Sequence, residues 1–355
     1  MELRAARHSE RDEVLDLLSL WYDDREFFAR YNRNDPKFRD NLCLIARDNG
    51  ALVATVQIFD RVVNLDGHKA PMGGIGSVFT REEYRHKGVA SALMRLAVET
   101  MVRECFEVSL LFAERLSFYN RFGWREIARR FSVLANAAAL DAPADFEIDV
   151  FDSARDFAAV AAIHREYTGR FNVTAVRDED DWRANLLFAG NQPMHPGEGS
   201  EEYFIVARAA EELAAYARVS RFYGVTMVME YGYHDRAENA ALAMFRHLGE
   251  TATGAAPSFR LRGNHHRAAL LAEGADPTVP AGVLITHTAH DKRLEKCLAA
   301  AGVPVSYHED NNYMWRIISP ERLAARLGMT PDQAAAHAFE VFGDDRSLFW
   351  TSDRF

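Results

Sequence analysis

The sequence predicts an α/β (α+β) chain in which mixed sheets are flanked by helices and the pattern is built twice. Three observations carry this. Gly74 to Trp124 reads as strand, tight basic loop, helix, strand and short aromatic helix. Asp48-Asn49-Gly50, set between two apolar runs, is a strong hairpin signal. After about residue 142 the order strand–helix–hairpin–strand–helix begins again. At 355 residues the chain has room for two or three domains of about 100–200 residues each.

Composition narrows the class. Apolar content of 48% is ample for real cores. A net charge of −10 argues against a nucleic-acid partner and is compatible with a cationic one. Cys43, Cys105 and Cys297 lie far apart in apolar surroundings, so they read as buried reduced thiols with no metal spacing. The start MELRAARHSERDEV has no apolar signal core, and no run approaches eighteen apolar residues. The expectation is a cytoplasmic protein without membrane attachment.

The elements follow in order. Leu3 to Ala6 forms a first strand. Ser9 caps a helix that buries Val14, Leu17, Leu18 and Trp21. Asp23-Asp24-Arg25-Glu26-Phe27-Phe28 follows, with Tyr31 and a turn at Asn34-Asp35-Pro36. Leu42 to Arg47 and Ala51 to Ile58 are the hairpin strands, and Val62 to Gly67 leads to another turn. Gly74 to Thr80 is a short apolar run flanked by glycines, the mark of a buried strand.

The loop Arg85-His86-Lys87-Gly88-Val89-Ala90 then opens a helix at once. Ala90, Leu93, Met94, Ala97 and Met101 recur at spacings of three and four and share a face. Glycine lets backbone approach a ligand, and the free amides and dipole of a helix start attract anions. Arg85 and Lys87 add charge. The expected ligand group is a phosphate or pyrophosphate.

Glu107 to Ala113 is the next strand, and Trp124 to Ala135 a closing one. Ala138 to Ala144, alanine-rich and holding Pro143, reads as a linker. The second unit runs through a strand at Phe146 to Phe151 and a helix from Ser153 to Tyr167, with Ser153 as cap. A helix from Asp178 to Leu187 and a loop from Gly190 to Ser200 follow. Strands at Tyr203 to Arg208, Leu213 to Val219 and Val225 to Tyr231 precede a helix from Arg236 to Leu248. Ser258 to Arg262 reads as a strand, and Asn264-His265-His266 as a helix cap rather than metal-ligand material. Val283 to Thr286, Asp291 to Ala300 and Val303 to Tyr307 give strand, helix and strand. Tyr313 to Ile318 is a strand, and helices run from Pro320 to Leu327 and Pro331 to Phe342. Ser347 to Phe355 is apolar and aromatic where a terminus is normally polar, so the end is expected to dock.

Arg85-His86-Lys87-Gly88-Val89-Ala90 fits the Arg/Gln-x-x-Gly-x-Gly/Ala signature of the GNAT superfamily of N-acetyltransferases at every fixed position. Phe118-Tyr119-Asn120-Arg121-Phe122-Gly123-Trp124 matches that family's aromatic-x-x-Phe-Gly-aromatic close. The chain resembles this family over about residues 1–135. In the second unit the matching place holds Tyr233-His234-Asp235-Arg236-Ala237-Glu238. It has no glycine, and Asp235 and Glu238 would oppose a pyrophosphate. The whole resembles the Eis type (enhanced intracellular survival), with tandem acetyltransferase folds and a sterol-carrier-like domain. The match is good over 1–250 and weak beyond. It implies a catalytic domain at 1–141 binding acetyl-CoA and a degenerate second domain at 142–312. Residues 313–355 would then be a reduced sterol-carrier-like helical piece whose end docks towards the active site.

The resemblance also implies roles. Backbone amides at Val78, Phe79 and Thr80 would lie beside the pantetheine and thioester. Arg85, His86, Lys87, Gly88, Val89, Ala90 and Ser91 would take the pyrophosphate, and Glu114 and Arg115 would flank the coenzyme's other side. Tyr119 matches the family's proton donor, since a phenol with a pKa near 10 is protonated at about pH 7. The carboxylate of Phe355 matches the base of Eis-type proteins. Glu82 and Glu83 are alternative bases or solvated residues. The expected activity is acetyl transfer from acetyl-CoA, without a metal, to a primary amine of a small cationic or amino-sugar acceptor. A non-catalytic acyl-CoA-binding protein and a protein-amine acetyltransferase are the alternatives. No nucleic-acid or membrane partner is expected, and a homo-oligomer is left open.

Overall fold

The structure is a computed structural model that describes residues 1–22, 25–113, 115–134, 136–189, 201–222, 225–251, 283–285, 290–303, 305–310 and 313–353. Five expectations fall on residues outside those described. They are the acidic pair Asp23 and Asp24, Glu114, the loop from Gly190 to Ser200, the strand and cap from Ser258 to His266, and Phe355.

The chain opens with β1 (Glu2–Ala5), α1 (Arg11–Tyr22), α2 (Arg25–Asn34), β2 (Cys43–Asp48), β3 (Ala51–Leu65) and β4 (His68–Thr80). It continues through α3 (Val89–Arg103), β5 (Val108–Phe112), α4 (Leu116–Asn120), β6 (Arg125–Glu126) and β7 (Arg129–Leu134). Next come β8 (Phe146–Val150), α5 (Ser153–Thr168), α6 (Glu179–Ala189), β9 (Glu201–Ala209), β10 (Glu212–Phe222), β11 (Val225–Tyr233) and α7 (Glu238–Thr251). The last elements are β12 (Val283–Ile285), α8 (Lys292–Ala300), β13 (Val305–Asp310), β14 (Tyr313–Ile317), α9 (Pro320–Leu327) and α10 (Pro331–Gly343).

Turn chemistry places the first hairpins. Asn49 and Gly50 have φ of 49° and 83°, and Asp66 and Gly67 have 51° and 81°. Positive φ at both central residues suits the twist of a two-residue hairpin, so β2–β3 and β3–β4 close tightly. Two cap assignments differ from expectation. Ser9 sits inside a short 3-10 turn whose Glu10 carboxylate accepts from the Arg7 amide. Asp152, not Ser153, caps α5, because its carboxylate reaches the amides of Ala154 and Arg155. An ionised acceptor makes the stronger cap bond.

Among the described residues the strands form two seven-stranded sheets, ordered β1-β2-β3-β4-β5-β14-β6 and β13-β7-β12-β11-β10-β9-β8. The boundaries expected near residues 141 and 313 do not coincide with these sheets. The segment read as one closing strand, Trp124 to Ala135, divides. β6 pairs with β14 in the first sheet and β7 pairs with β12 and β13 in the second. β14, expected in a separate C-terminal piece, lies between β5 and β6.

Side-chain alternation explains why β14 fits there. Met314 packs with the α3 face, whereas Tyr313 and Trp315 pack on the opposite face with Leu323, Ala338 and Phe342 of α9 and α10. The Trp315 and Phe342 rings stack at 4.4 Å. Arg326 of α9 then grips Glu107 with two hydrogen bonds of 2.7 Å. The first sheet is thus covered by α3 on one side of its β5–β14 region and by the C-terminal helices on the other.

Candidate active site

The site begins where two parallel strands part. β4 pairs with β5 from Met72–Val108 to Ile75–Leu111, and then only β3 accompanies β4 to Thr80. The pairing with β3 slips there: Thr55 opposes Phe79 but Gln57 opposes Gly76, so β4 bulges at Ser77 and Val78. Ser77 has φ of 49°. A bulge bends the strand and leaves backbone groups unpaired. Val78 lies in the bulge, and Phe79 and Thr80 carry β4 on beyond the end of its pairing with β5.

The foot of the gap is fixed. The Ser109 hydroxyl donates to Gly73 O at 2.6 Å and accepts from Trp124 Nε1 at 3.2 Å. A Cβ on Gly73 would meet Met101 Sδ at 2.6 Å, so glycine there lets α3 lie against β4.

From Thr80 the chain enters the basic loop. Arg81 Nε donates to Leu52 O at 2.8 Å and Arg85 Nε to Thr80 O at 3.3 Å, which anchors the loop to the sheet. Lys87 lies over the Tyr84 ring at 5.4 Å. His86 and Gly88 both have positive φ, of 61° and 82°. Successive turns of this sort point backbone N–H groups into a common concavity. Gly88 is the N-cap of α3 and brings no side-chain cap, while the first helical bond runs from Ala92 N to Gly88 O at 3.0 Å. The amides of Val89, Ala90 and Ser91 therefore precede any intrahelical partner. A Cβ on Gly88 would meet nothing within 4 Å. Glycine is needed here for its φ, and the space in front of it is open. α3 buries Val89, Leu93, Met94, Ala97, Thr100 and Met101, with Val89 taking the place expected of the half-buried Ala90.

On the far side of the gap, α4 begins beyond the end of β5. Tyr119 is half-buried and edge-on to Phe118 at 4.9 Å. Arg121 lies over Phe118 at 5.0 Å and over Phe122 at 5.9 Å, and Arg115 and the Glu82–Glu83 pair are exposed. The positions that the sequence reading expects to meet a cofactor, 78–80 and 85–91, thus run along one continuous strand–loop–helix, and Arg115 and Tyr119 follow the partner strand.

The opposite face of the sheet holds a small cleft of about 10 Å³, room for about one water, lined by Val14, Leu18, Phe28, Asn32, Cys43, Thr55, Gln57, Phe59 and Ser77. Ser77 belongs to the bulge, so this cleft adjoins the gap. Five lining residues escaped the sequence reading, namely Asn32, Thr55, Gln57, Phe59 and Ser77. The signal was available: Cys43 and Gln57 are cross-strand partners on the predicted hairpin, and Thr55 shares their face at period two. Burial pushes the Cys43 thiol up to about 12, so it stays protonated. The Asp35 carboxylate pairs with Arg61 at 2.9 Å and that of Asp60 with Arg39 at 2.9 Å.

The last described residues, before position 354, pack inward. Leu348, Phe349 and Trp350 are buried, and Phe349 lies 6.1 Å from Phe112 at the tip of β5. Asp353 Oδ1 accepts from Arg177 Nε at 2.7 Å. Asp353 is the last described residue.

The second sheet repeats the frame. β11 runs parallel to β12, and its register with β10 slips between Arg218 and Val219, as β4 slips against β3. Its loop is already filled. The Glu166 carboxylate takes the Asp235 amide at 2.7 Å and contacts His234 Nδ1 at 2.6 Å. Tyr167, Tyr231, Tyr233 and Trp350 are buried beside β11, and the Tyr167 hydroxyl donates to Asp291 at 2.8 Å. Among the described residues no group of three or more potential metal ligands is present, and no helix is long and apolar enough to cross a membrane.

Residues 2–127 match the model of an acetyltransferase (GNAT) domain. Solved structures share the fold across both sheets. An Enterococcus faecalis protein described as a "Probable N-Acyltransferase" is 14% identical, with a TM-score of 0.66, covering 92% of this chain and 74% of that one. A GCN5-related N-acetyltransferase from Kribbella flavida is 20% identical, with a TM-score of 0.63 and coverage of 92% and 73%. Eis1 from Mycobacterium abscessus is 15% identical, with a TM-score of 0.58 and coverage of 92% and 75%. No curated protein matches the chain.

Proposed function

We propose that the chain is an acetyl-CoA-dependent N-acetyltransferase whose first unit does the chemistry and whose second is a scaffold. The observation that carries this is the junction at Gly88, where an uncapped helix start opens onto free space beside the bulge of β4. Those residues fit the coenzyme. The amides of Val89, Ala90 and Ser91, with Arg85, His86 and Lys87, would hold the pyrophosphate. The edge of Val78, Phe79 and Thr80 would hold the pantetheine and offer an amide to the carbonyl oxygen. Arg115 and Glu114 would flank the coenzyme from the β5 side. Acetyl-CoA supplies the acetyl thioester.

Direct transfer asks three things of the protein: a proton taken from the amine, a donor for the carbonyl oxygen and a proton returned to the thiolate. Tyr119 is our candidate for the last role and the carboxylate of Phe355 for the first. The acceptor enters by the cleft under α1 and α2. Its described lining is neutral, which suits an amine that has lost its proton. A small cationic or amino-sugar acceptor is the class we favour, because Asp23 and Asp24 fall in the segment between these helices and the chain carries a net charge of −10.

The test is a screen of primary amines with acetyl-CoA, read by release of free thiol. Saturable thiol release with at least one amine is the expected result. Coenzyme binding without turnover on any amine would replace this reading by that of a binding protein.

A further inference from the structure

We infer that Arg316, with Arg95 and Arg121, forms a site for a phosphate monoester, and that its occupant is the 3′-phosphate of the coenzyme. This rests on the reading that the first unit binds acetyl-CoA. Arg316 stands in β14, outside the matched residues 2–127, and opposes Ser109 of β5. By strand alternation it projects from the same face of the sheet as Met314, the face that α3 covers. Its guanidinium lies over the Trp124 ring at 5.1 Å. A Cβ on Gly123 would meet its Nη1, Cζ and Nε at 3.5, 3.6 and 3.7 Å, so the guanidinium plane faces that glycine. Two more arginines stack on the same run. Arg121 lies 5.0 Å from the Phe118 ring and 5.9 Å from Phe122, and Arg95 of α3 reaches Phe122 at 6.0 Å. The three share one side of the first sheet, between α3 and residues 118–124.

Their charge points to an anion. Elsewhere in the first unit Arg4, Arg11, Arg39, Arg47 and Arg61 each pair with a carboxylate. Among the described residues none of Arg95, Arg121 and Arg316 has such a partner. Arg316 is half-buried, and burial lowers its pKa with no carboxylate to offset it. Taking a cation out of water without an anion is unfavourable. Among the described residues its nitrogens make no hydrogen bond, and none is sealed off from solvent, so a ligand can reach them.

The place also follows from the pyrophosphate reading. Arg95 comes one helical turn after Ser91, about 6 Å along α3, and helical side chains lean back towards the N-terminus. A ribose joins the coenzyme's 5′-pyrophosphate to its 3′-phosphate, so the second site must lie a short step from the first. A phosphate monoester brings a charge of about −1.5 to −2 and three acceptor oxygens, which planar guanidinium forks match. Arg316 thus makes recognition of the coenzyme depend on a strand that the matched domain does not include.

The test measures binding of coenzyme A and of 3′-dephospho-coenzyme A by calorimetry at low salt. The proteins are wild type, Arg316→Met, Arg316→Lys and Arg121→Met, with a melting temperature for each. We expect wild type to favour coenzyme A by about ten- to a hundredfold. Arg316→Met should lose most of that preference while its affinity for the dephospho form stays, and Arg316→Lys should recover part of it. The melting temperature of Arg316→Met should not fall, since methionine keeps contact with Trp124 and removes a desolvated charge. Arg121→Met alters an exposed side chain and carries the same test if Arg316→Met fails to fold. Equal affinity of wild type for the two ligands overturns the site and leaves the coenzyme reading intact. A loss in Arg316→Met that is the same for both ligands also overturns it. If neither ligand binds wild type, the coenzyme reading fails, and calorimetry with inorganic phosphate decides. Phosphate binding that Arg316→Met abolishes would keep the site for a separate phosphate, and any other result overturns it.

Discussion

Gly88 and Tyr119 carry the sharpest single-residue tests. At φ of 82°, any L-residue at position 88 is strained by roughly 1–2 kcal/mol, although nothing crowds its Cβ. Strain and charge can therefore be separated. Gly88→Ala should weaken acetyl-CoA binding modestly, by about thirtyfold or less if that strain is the whole effect. Gly88→Asp should abolish it, because a carboxylate would stand among the amides meant for phosphate. Calorimetry on both variants decides; equal affinity in Gly88→Asp and wild type would remove the anion site from this loop. Tyr119→Phe deletes one hydroxyl and keeps the packing against Phe118. It should slow transfer by about a hundredfold or more if the phenol returns the proton. A steady-state kcat unchanged from wild type would place the proton donor elsewhere. These positions were legible because a tight loop with glycine and an aromatic close are local patterns. Gly73 was not, since the contact that requires it comes from Met101, a helix away.

At the scale of elements, the sequence told where strands lie better than which sheet takes them. Arg129 to Leu134 and Tyr313 to Ile317 read as strands from their own residues. Their partners depend on register and on what covers each face, which are non-local. So β7 leaves for the second sheet and β14 enters the first. The same non-locality hid Arg326 and Glu107, which are 219 positions apart. Glu107 is only 4% exposed, so removing its partner should strand a carboxylate. Arg326 is itself 32% exposed, and water softens the loss. Arg326→Met should cost about 1–3 kcal/mol in urea unfolding. The double variant Glu107→Leu/Arg326→Met should recover most of that loss, as apolar replacement of a buried pair often does. A double variant as unstable as the single one would show that packing around α9, rather than the ion pair, fails. The duplicate loop makes a separate prediction. Because Glu166 already occupies the amide at Asp235, titration should find one acetyl-CoA site per chain, and Asp235→Gly should leave its affinity unchanged.

The second sheet and its helices bury several ionisable groups, and their titration bears on the stability of the whole molecule. Burial drives the His290 pKa down to about 3, where its ring lies against Phe171, Trp350 and Tyr231 and bonds the Tyr167 hydroxyl at 3.1 Å. His164 is depressed in the same direction by burial. Glu230 is held well below the carboxylate range: burial alone would raise it, and Arg177 with its hydrogen bonds more than offsets that. Asp156, where burial would raise the value but the hydrogen bonds from Arg155, the Asp152 amide and Arg208 together outweigh it, falls to about 2. In each case the unfolded chain takes up protons before the folded one. For the histidines, stability is full above about pH 6.5, the unfolded value, and is lost as pH falls towards the folded one. For the carboxylates the loss begins near their unfolded values, at about pH 4–4.5, and continues downwards. Asp60 opposes this, because burial raises its pKa, but it stands against the four groups named and further lowered carboxylates such as Glu10 and Glu166. Urea unfolding should therefore show stability falling steadily from pH 6.5 to 4. The slope should be up to about 1.4 kcal/mol per pH unit for each histidine that stays neutral only when folded. His290→Phe removes one such group while leaving the Tyr167 hydroxyl on Asp291. Its stability should fall less than wild type between pH 6.5 and 5, above the carboxylate window. Parallel curves for the two proteins would mean that His290 takes up its proton as readily in the fold as in the unfolded chain, and that the aromatic cluster at the second unit's gap admits water.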